Sequence, residues 1–492
     1  MAQYTKGKQD AVILLHITKR ELISNLQSLR FAFILIITIT LFIMNGLIFS
    51  GTYEEKLSDY SRNAADHRES RVRNLAFGAL YADKRPNPLS FCVEGGESEL
   101  PAVLSIETNG VIKPELSFAL GERNFTLPRF EEIDWAFIVK ILFSLFAVIL
   151  TYDAISGEKE RGTLALILSN SIQRIFILGA KYLAALITIL LPLLAGMLLG
   201  LLLCFRGGLV ALDGQSLGCI GVFALMSIAY ISLMILLGLF ISSLTQRSSI
   251  SLLLLLSIWV FFVIVIPSLS SVLAEQFSRV PGEFEFGKQR EQITYFWGKQ
   301  ELEKRIKAKG YRLTDQNEPS EEMEREALRV INEMGEQVFR LTEEYERSIQ
   351  AQALMAINLG RISPSEVFQR TGEAITDQGL SRHWRFRRAA ENYYREWRSY
   401  IQEKRGTLVN YPDRGYSQLG FQRIELNGKI ISVPIPFLLP KLDMSDAPIF
   451  SEPEVTIVSG FREGIFDTFI LFLWNLALLL MAHAVFMKYD VR

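Results

Sequence analysis

The sequence predicts an α-helical integral membrane protein with six transmembrane helices and two extracytoplasmic insertions, the larger mainly helical with a β-hairpin. Three observations carry this. Hydrophobic residues are 49% of the 492-residue chain and charged residues 21%, and the mean hydropathy is +0.22, between the values of a soluble protein and of a chain held wholly in lipid. The apolar residues gather into six charge-poor runs, most of them reaching the about 20 helical residues that a ~30 Å hydrocarbon core requires. Long charged stretches separate the runs and form the soluble parts. With 52 basic against 53 acidic residues the net charge is −1, so no global field draws in nucleic acid and no such partner is expected. Cys92, Cys204 and Cys219 form no CxxC pair, which excludes a disulfide-stapled scaffold and a cysteine zinc ribbon.

Residues 1–30 precede the first run. Within 11–30, Val12, Leu15, Leu22, Ile23 and Leu26 recur at helical spacing, while Lys19, Arg20 and Glu21 fall on the other face. This predicts a helix lying in the cytoplasmic interface with those three charges in water. The spans follow at 31–50, 134–152, 175–205, 218–243, 250–272 and 465–487, and Lys140 and Lys181, each near one end of its run, are the basic residues inside them. The first run lies too far along the chain, and lacks the cleavage pattern, for a signal peptide.

Basic residues beside short loops set the orientation. Lys19, Arg20 and Arg30 precede the first span; Lys159, Arg161 and Arg174 occupy the 153–174 loop; Arg247 lies in the 244–249 loop; and Lys488 and Arg492 lie in the 488–492 tail. The 206–217 loop on the other side offers Arg206 alone. Both termini are therefore expected in the cytoplasm, and 51–133 and 273–464 outside it. Each outer segment carries an Asn-Gly pair between strand-like residues, Asn109-Gly110 and Asn427-Gly428, the signal of a type I′ hairpin. Ala327, Ile331, Met334, Val338, Leu341 and Tyr345 form an amphipathic helical stripe. It predicts packing within the outer domain, with a coiled-coil contact to a partner as the alternative. Arg382, Arg385, Arg387 and Arg388, followed by Tyr393, Tyr394, Trp397 and Tyr400, read either as an anion-binding patch or as a solvated helix with its aromatic face in the core.

Enzyme signatures appear as near misses. Gly157 to Thr163 has the glycine spacing of a phosphate-binding loop without its lysine. Gly214-Gln215-Ser216-Leu217-Gly218 matches a nucleophile elbow but sits between two spans with no sheet to present the serine. His16, His67, His383 and His483 are scattered and make no metal-ligand set. No catalytic residue and no metal site is expected.

The informative segment is Gly157-Glu158-Lys159-Glu160-Arg161-Gly162-Thr163-Leu164-Ala165-Leu166-Ile167-Leu168. Physically it is a charged, glycine-bounded patch followed by a short apolar-polar helix, and a solvated loop is its plain alternative. Gly157 and Gly162 would let the chain turn. Glu158, Lys159, Glu160 and Arg161 could pair with a soluble partner, and Leu164 and Leu166 could bury against it or against the bundle.

The stretch from Asp153 to Arg174 resembles the signature of type-2 ABC transporter permeases, in which the second span runs into a GE+ERGTLxLLLS segment. Lys19-Arg20-Glu21-Leu22 is similar to the same family's N-terminal elbow helix. Arg85-Pro86-Asn87-Pro88-Leu89-Ser90 and the terminal Phe486–Arg492 resemble the branch associated with multi-copper enzyme and nitrous oxide reductase maturation. The resemblance implies six spans of the type-2 ABC exporter kind in a bacterial plasma (inner) membrane. It also implies that Gly157–Leu164 and Leu166 dock in a groove of a separate cytoplasmic ATPase subunit. This chain has no nucleotide-binding sequence, so ATP and Mg belong to that partner and no cofactor is expected here. The family further implies a second identical or similar permease, with membrane lipid and periplasmic proteins as candidate partners. The expected function is the permease subunit of an exporter. A mechanotransducer acting on outer proteins, and a membrane-anchored receptor or enzyme, are the alternatives.

Overall fold

The computed structural model describes residues 2–73, 80–106, 112–115, 133–169, 173–205, 213–308, 321–405, 421–426, 429–434, 446–453 and 456–488. Helix α1 (Ala2–Leu26) is followed by α2 (Leu29–Arg73), which holds the first span. The second span comprises α3 (Trp135–Phe137), a π-helical turn (Ile138–Phe143) and α4 (Ser144–Thr151). Two short helices follow, α5 (Ser156–Glu160) and α6 (Thr163–Leu168). Helices α7 (Arg174–Phe205) and α8 (Gly214–Leu244) are the third and fourth spans. The fifth joins α9 (Ser248–Val260), a π turn (Phe261–Val265) and α10 (Ile266–Phe277). Between the fifth and sixth spans lie α11 (Glu283–Glu291), α12 (Gly298–Ala308), α13 (Glu321–Gly360), α14 (Pro364–Thr376) and α15 (Gly379–Arg405), and α16 (Ile457–Met487) is the sixth span. Among the described residues six helices are thus long and apolar enough to cross a membrane, and each contains a run that hydropathy predicts.

We call basal the end of the bundle where α2 begins and α16 finishes, and apical the opposite end. The first helix does not stop at residue 50: α2 continues unbroken to Arg73. Apart from Gly51 its extension holds no Gly or Pro, and charged helix formers need no lipid to stay helical. Strands β1 (Leu80–Asp83), β2 (Val103–Ile106) and β3 (Ile112–Glu115) form an antiparallel sheet, with Ile106 opposite Ile112. Strands β4 (Phe421–Leu426) and β5 (Lys429–Pro434) pair with Leu426 opposite Lys429. The Asn-Gly turns between these strands lie outside the described residues, as do Arg206 and 489–492. The aromatic face of α15 packs on the first sheet: Phe386, Tyr393 and Trp397 share a core with Leu80, Leu104 and Ile106. Of the α13 stripe, Val338 is buried and Tyr345 stacks on Phe286 at 4.2 Å; the side chains of Ala327 and Ile331 lie outside the described set.

One element departs from a purely external 273–464 domain. Helix α14 inserts between α8 and α16 at the apical end. Phe368 stacks on Tyr230 of α8 at 4.9 Å and lies against Phe223. Gly460 and Gly464 of α16 face Ala374 with no room for a side chain at 460, where a Cβ would stand 2.5 Å from the Ala374 carbonyl oxygen. Two small residues four apart let two helices close in this way. The π turns are satisfied by side chains rather than left open. Ser363 and Ser365 donate to the Phe262 carbonyl in the fifth span, and Tyr230 donates to the Lys140 carbonyl in the second. Irregular backbone at membrane depth needs such partners.

Candidate functional site

The segment from Tyr152 to Ser169 closes the basal end, and its turn is built by a serine from another span. Ser242 Oγ of α8 accepts the amides of Ile155 and Ser156, each at 3.0 Å, and donates to the Tyr152 carbonyl at 2.9 Å. Groups orphaned where α4 ends are thereby paired. Arg30, at the start of α2, reaches the Tyr152 hydroxyl at 2.9 Å and Asp153 at 3.3 Å.

The three charges that follow each go to a different span. Glu158 is buried and meets Lys181 Nζ of α7 at 2.7 Å. Lys181 in turn meets Glu21 of α1 at 3.3 Å. Lys159 Nζ donates to the carbonyls of Ser243 and, at 3.1 Å, Thr245, where α8 ends. Glu160 accepts the Ser248 amide at 3.1 Å and its hydroxyl at 2.8 Å, where α9 begins. A cation at a helix C-terminus and a carboxylate at an N-terminus both suit the helix dipole. The Glu-Lys-Glu triplet is thus an internal clamp on α7, α8 and α9.

This changes the sequence reading. Glu158, Lys159 and Glu160 are engaged within the chain instead of awaiting a partner's charges, and Glu21 faces Lys181 instead of water. Lys19 and Arg20 remain exposed. Gly162 makes the turn, at φ 70° and ψ 0° in the left-handed region, whereas Gly157 is not among the positive-φ glycines and lies inside α5. Leu164 is fully buried in the bundle core and Leu166 is 70% exposed. Thr163 Oγ1 donates to the Glu158 carbonyl at 3.3 Å. The exposed residues of this segment are Glu160, Arg161, Gly162, Thr163, Leu166 and Ser169.

The arginine run also reads differently. Arg382 is buried and bound to Glu452 at 2.8 Å, Arg385 to Asp377 and Glu463, and Arg387 to Glu346. Their charge is neutralised by carboxylates of the same chain, so they do not form a free anion patch; Arg388 alone of the four is exposed. The Arg85–Ser90 stretch is structural too. The Arg85 carbonyl accepts from Arg382, and the Asn87 amide donates to the carbonyls of Thr376 and Asp377 at 2.8 Å each. In the elbow look-alike, Ser216 sits in the first turn of α8 with its amide capped by Asp213 at 2.8 Å.

Sequence reasoning missed Ser242, Thr245 and Ser248 as partners of the segment. The Ser/Thr cluster from Ser242 to Ser249 between two apolar runs, a pattern that favours helix caps, was the available signal. A family model described as ABC-2 family transporter protein matches residues 15–307, from α1 through α12. No curated protein matches the sequence. With six apolar helices and a match over more than half its length, the chain belongs to the ABC-2 transporter family, the membrane permease subunits that pair with an ABC ATPase.

Proposed function

We propose that the protein couples ATP hydrolysis by a separate ATPase subunit to export across a bacterial inner membrane, with both termini and the basal end in the cytoplasm. The observation that carries this reading is the clamp: one short segment grips the ends of three spans and, through Lys181, the elbow helix, while leaving Arg161, Thr163 and Leu166 outward. An ATPase seated on α6 would move all four together. Leu166 is its apolar anchor, and Leu164 fixes α6 to the bundle. ATP binding then biases two conformations to the extent that the partner prefers one of them. ATP and Mg reside in the ATPase, and a second permease, identical or similar, completes the conduit.

A second reading keeps the clamp but not the cargo. Helix α14 ties the outer helices directly to spans four, five and six, through Phe368–Tyr230, Ser363–Phe262 and the Arg361–Asp467 pair at 2.6 Å. Motion of the bundle would thereby reach the outer domain and periplasmic proteins on it. Such a task fits the branch associated with multi-copper enzyme and nitrous oxide reductase maturation, which the Arg85–Ser90 stretch resembles. Proteoliposomes holding the permease and its ATPase separate the two. Transport that rises with ATP turnover supports export, and turnover that responds to outer proteins without cargo movement supports mechanotransduction.

A further inference from the structure

A cavity of about 360 Å³ opens at the basal end between α1, α2, α4, α5 and α7, within the range of roughly 300–1,000 Å³ typical of small-ligand sites. Its charged lining is Glu21, Asp153 and Glu158 against Arg30, Arg161 and Lys181, so the whole is neutral. The charges are not evenly paired. Arg30 takes Asp153. Lys181, a single ammonium, serves both Glu21 and Glu158. That trio therefore keeps one negative charge, and the Glu158 Oε2 atom is buried with no hydrogen-bond partner among the described residues. Arg161 lines the same cavity and has no carboxylate within ion-pair distance among the described residues. Glu158 and Arg161 thus both line one cavity.

A buried carboxylate oxygen without a donor is costly, and a ligand that supplies one is held strongly. We propose that this cavity binds the phosphoethanolamine headgroup of a lipid in the basal leaflet, its ammonium donating to Glu158 Oε2 and its phosphate accepting from Arg161. A lipid, rather than a free zwitterion, is favoured by exposed apolar side chains close in sequence to the lining residues Ser24, Ser28 and Arg30: Leu29 is 88% exposed, Ile23 43% and Phe33 64%. These side chains offer a path for acyl chains beside Arg30. The headgroup would bridge α1 to the clamp, so lipid identity would bear on how firmly the elbow helix is held.

The test is native mass spectrometry of the full-length permease, without its ATPase, with dioleoyl phosphatidylethanolamine, its N-methyl, N,N-dimethyl and choline analogues, and dioleoyl phosphatidylglycerol. Binding should fall stepwise as N–H donors are lost, to about tenfold weaker for the choline lipid, and the glycerol lipid should bind no better than the choline lipid, each step reflecting charge-assisted hydrogen bonds. Arg161→Ala should weaken phosphatidylethanolamine about tenfold, by loss of its phosphate contact. Glu158→Gln should erase the preference over the choline lipid, and Arg388→Ala should change nothing. Equal binding of all five lipids, or unaltered phosphatidylethanolamine binding in Arg161→Ala together with unaltered selectivity in Glu158→Gln, would overturn the proposal. Arg161→Ala alters an exposed side chain, so folding does not obscure its result. Soluble phosphoethanolamine binding as tightly as the lipid would overturn the lipid assignment.

Discussion

Glu160 and Ser248, on opposite sides of the gap between the second and fifth spans, are joined twice: the carboxylate accepts the serine amide at 3.1 Å and its hydroxyl at 2.8 Å. The cap of α9 is therefore supplied from another helix, since Arg247 at the N-cap position makes no side-chain cap of its own. Replacing Glu160 by Ala should loosen the start of α9. Hydrogen exchange should quicken at 248–251 while 255–260 stay protected, and Glu160→Gln should lie between the two. Unchanged exchange in Glu160→Ala would show that the cap does not hold the helix.

Lys181 is the shared cation of two carboxylates, with its own side chain 5% exposed and that of Glu158 11%. Lys181→Met should destabilise the permease by about 3–5 kcal/mol, because it leaves buried charge unpaired. Neutralising Glu158 and Glu21 in the same chain should recover most of the loss. Thermal unfolding in detergent measures this, and no recovery in the triple variant would argue against the pairing.

Burial, with the charge of Lys84 adding to it, pushes the His383 imidazole down to about 4, against about 6.5 in an unfolded chain. Between these values the unfolded state takes up a proton that the folded state refuses. The stability is whole above pH 6.5 and falls as pH drops towards 4, by roughly 3 kcal/mol in all. Unfolding followed by tryptophan fluorescence should show this slope, and His383→Gln should flatten it. An equal slope in the variant would assign the acid sensitivity to other groups.

Gly460 and Gly221 give opposite expectations for the same change. A Cβ at 460 would meet the Ala374 carbonyl oxygen at 2.5 Å, while one at 221 meets nothing within 4 Å. Gly460→Ala should cost about 1–3 kcal/mol by overpacking α14 against α16. Gly221→Ala should be neutral or stabilise by up to about 1 kcal/mol through helix propensity. Thermal denaturation of the two variants side by side decides it, and equal behaviour would remove α14 from the bundle.

The six spans were legible because hydropathy alone reports them, and the strands around the Asn-Gly pairs because the turn chemistry is local. What stayed hidden depends on partners far along the chain. Glu158 looks like a solvated residue until Lys181 is placed beside it, and Lys159 and Glu160 until the ends of α8 and α9 arrive. Helix α14 lies in the 273–464 segment expected outside the membrane, and its Glu366, Arg370 and Glu373 give no hydropathy signal of insertion. Arg370 pairs with Glu373 at 2.8 Å and with Glu366 at 3.8 Å, and Arg361 just before the helix pairs with Asp467, so these charges enter the bundle paired, with one negative charge left on the Glu366–Arg370–Glu373 trio. The extension of α2 was missed for the converse reason: a charged helix standing clear of lipid leaves no hydropathy signal.

The central claim is that the ATPase sits on the outward face of α6, and site-specific photo-cross-linking in membranes containing both subunits tests it most directly. A photoreactive residue at Leu166 or Arg161, two of the exposed positions of the segment, should cross-link to the ATPase subunit. The same residue at Arg388 in the outer domain should not. Leu166→Asp should release the ATPase on purification, whereas Glu158→Gln should retain it. Cross-links from Arg388, or none from Leu166 and Arg161 while the complex stays intact, would contradict the account.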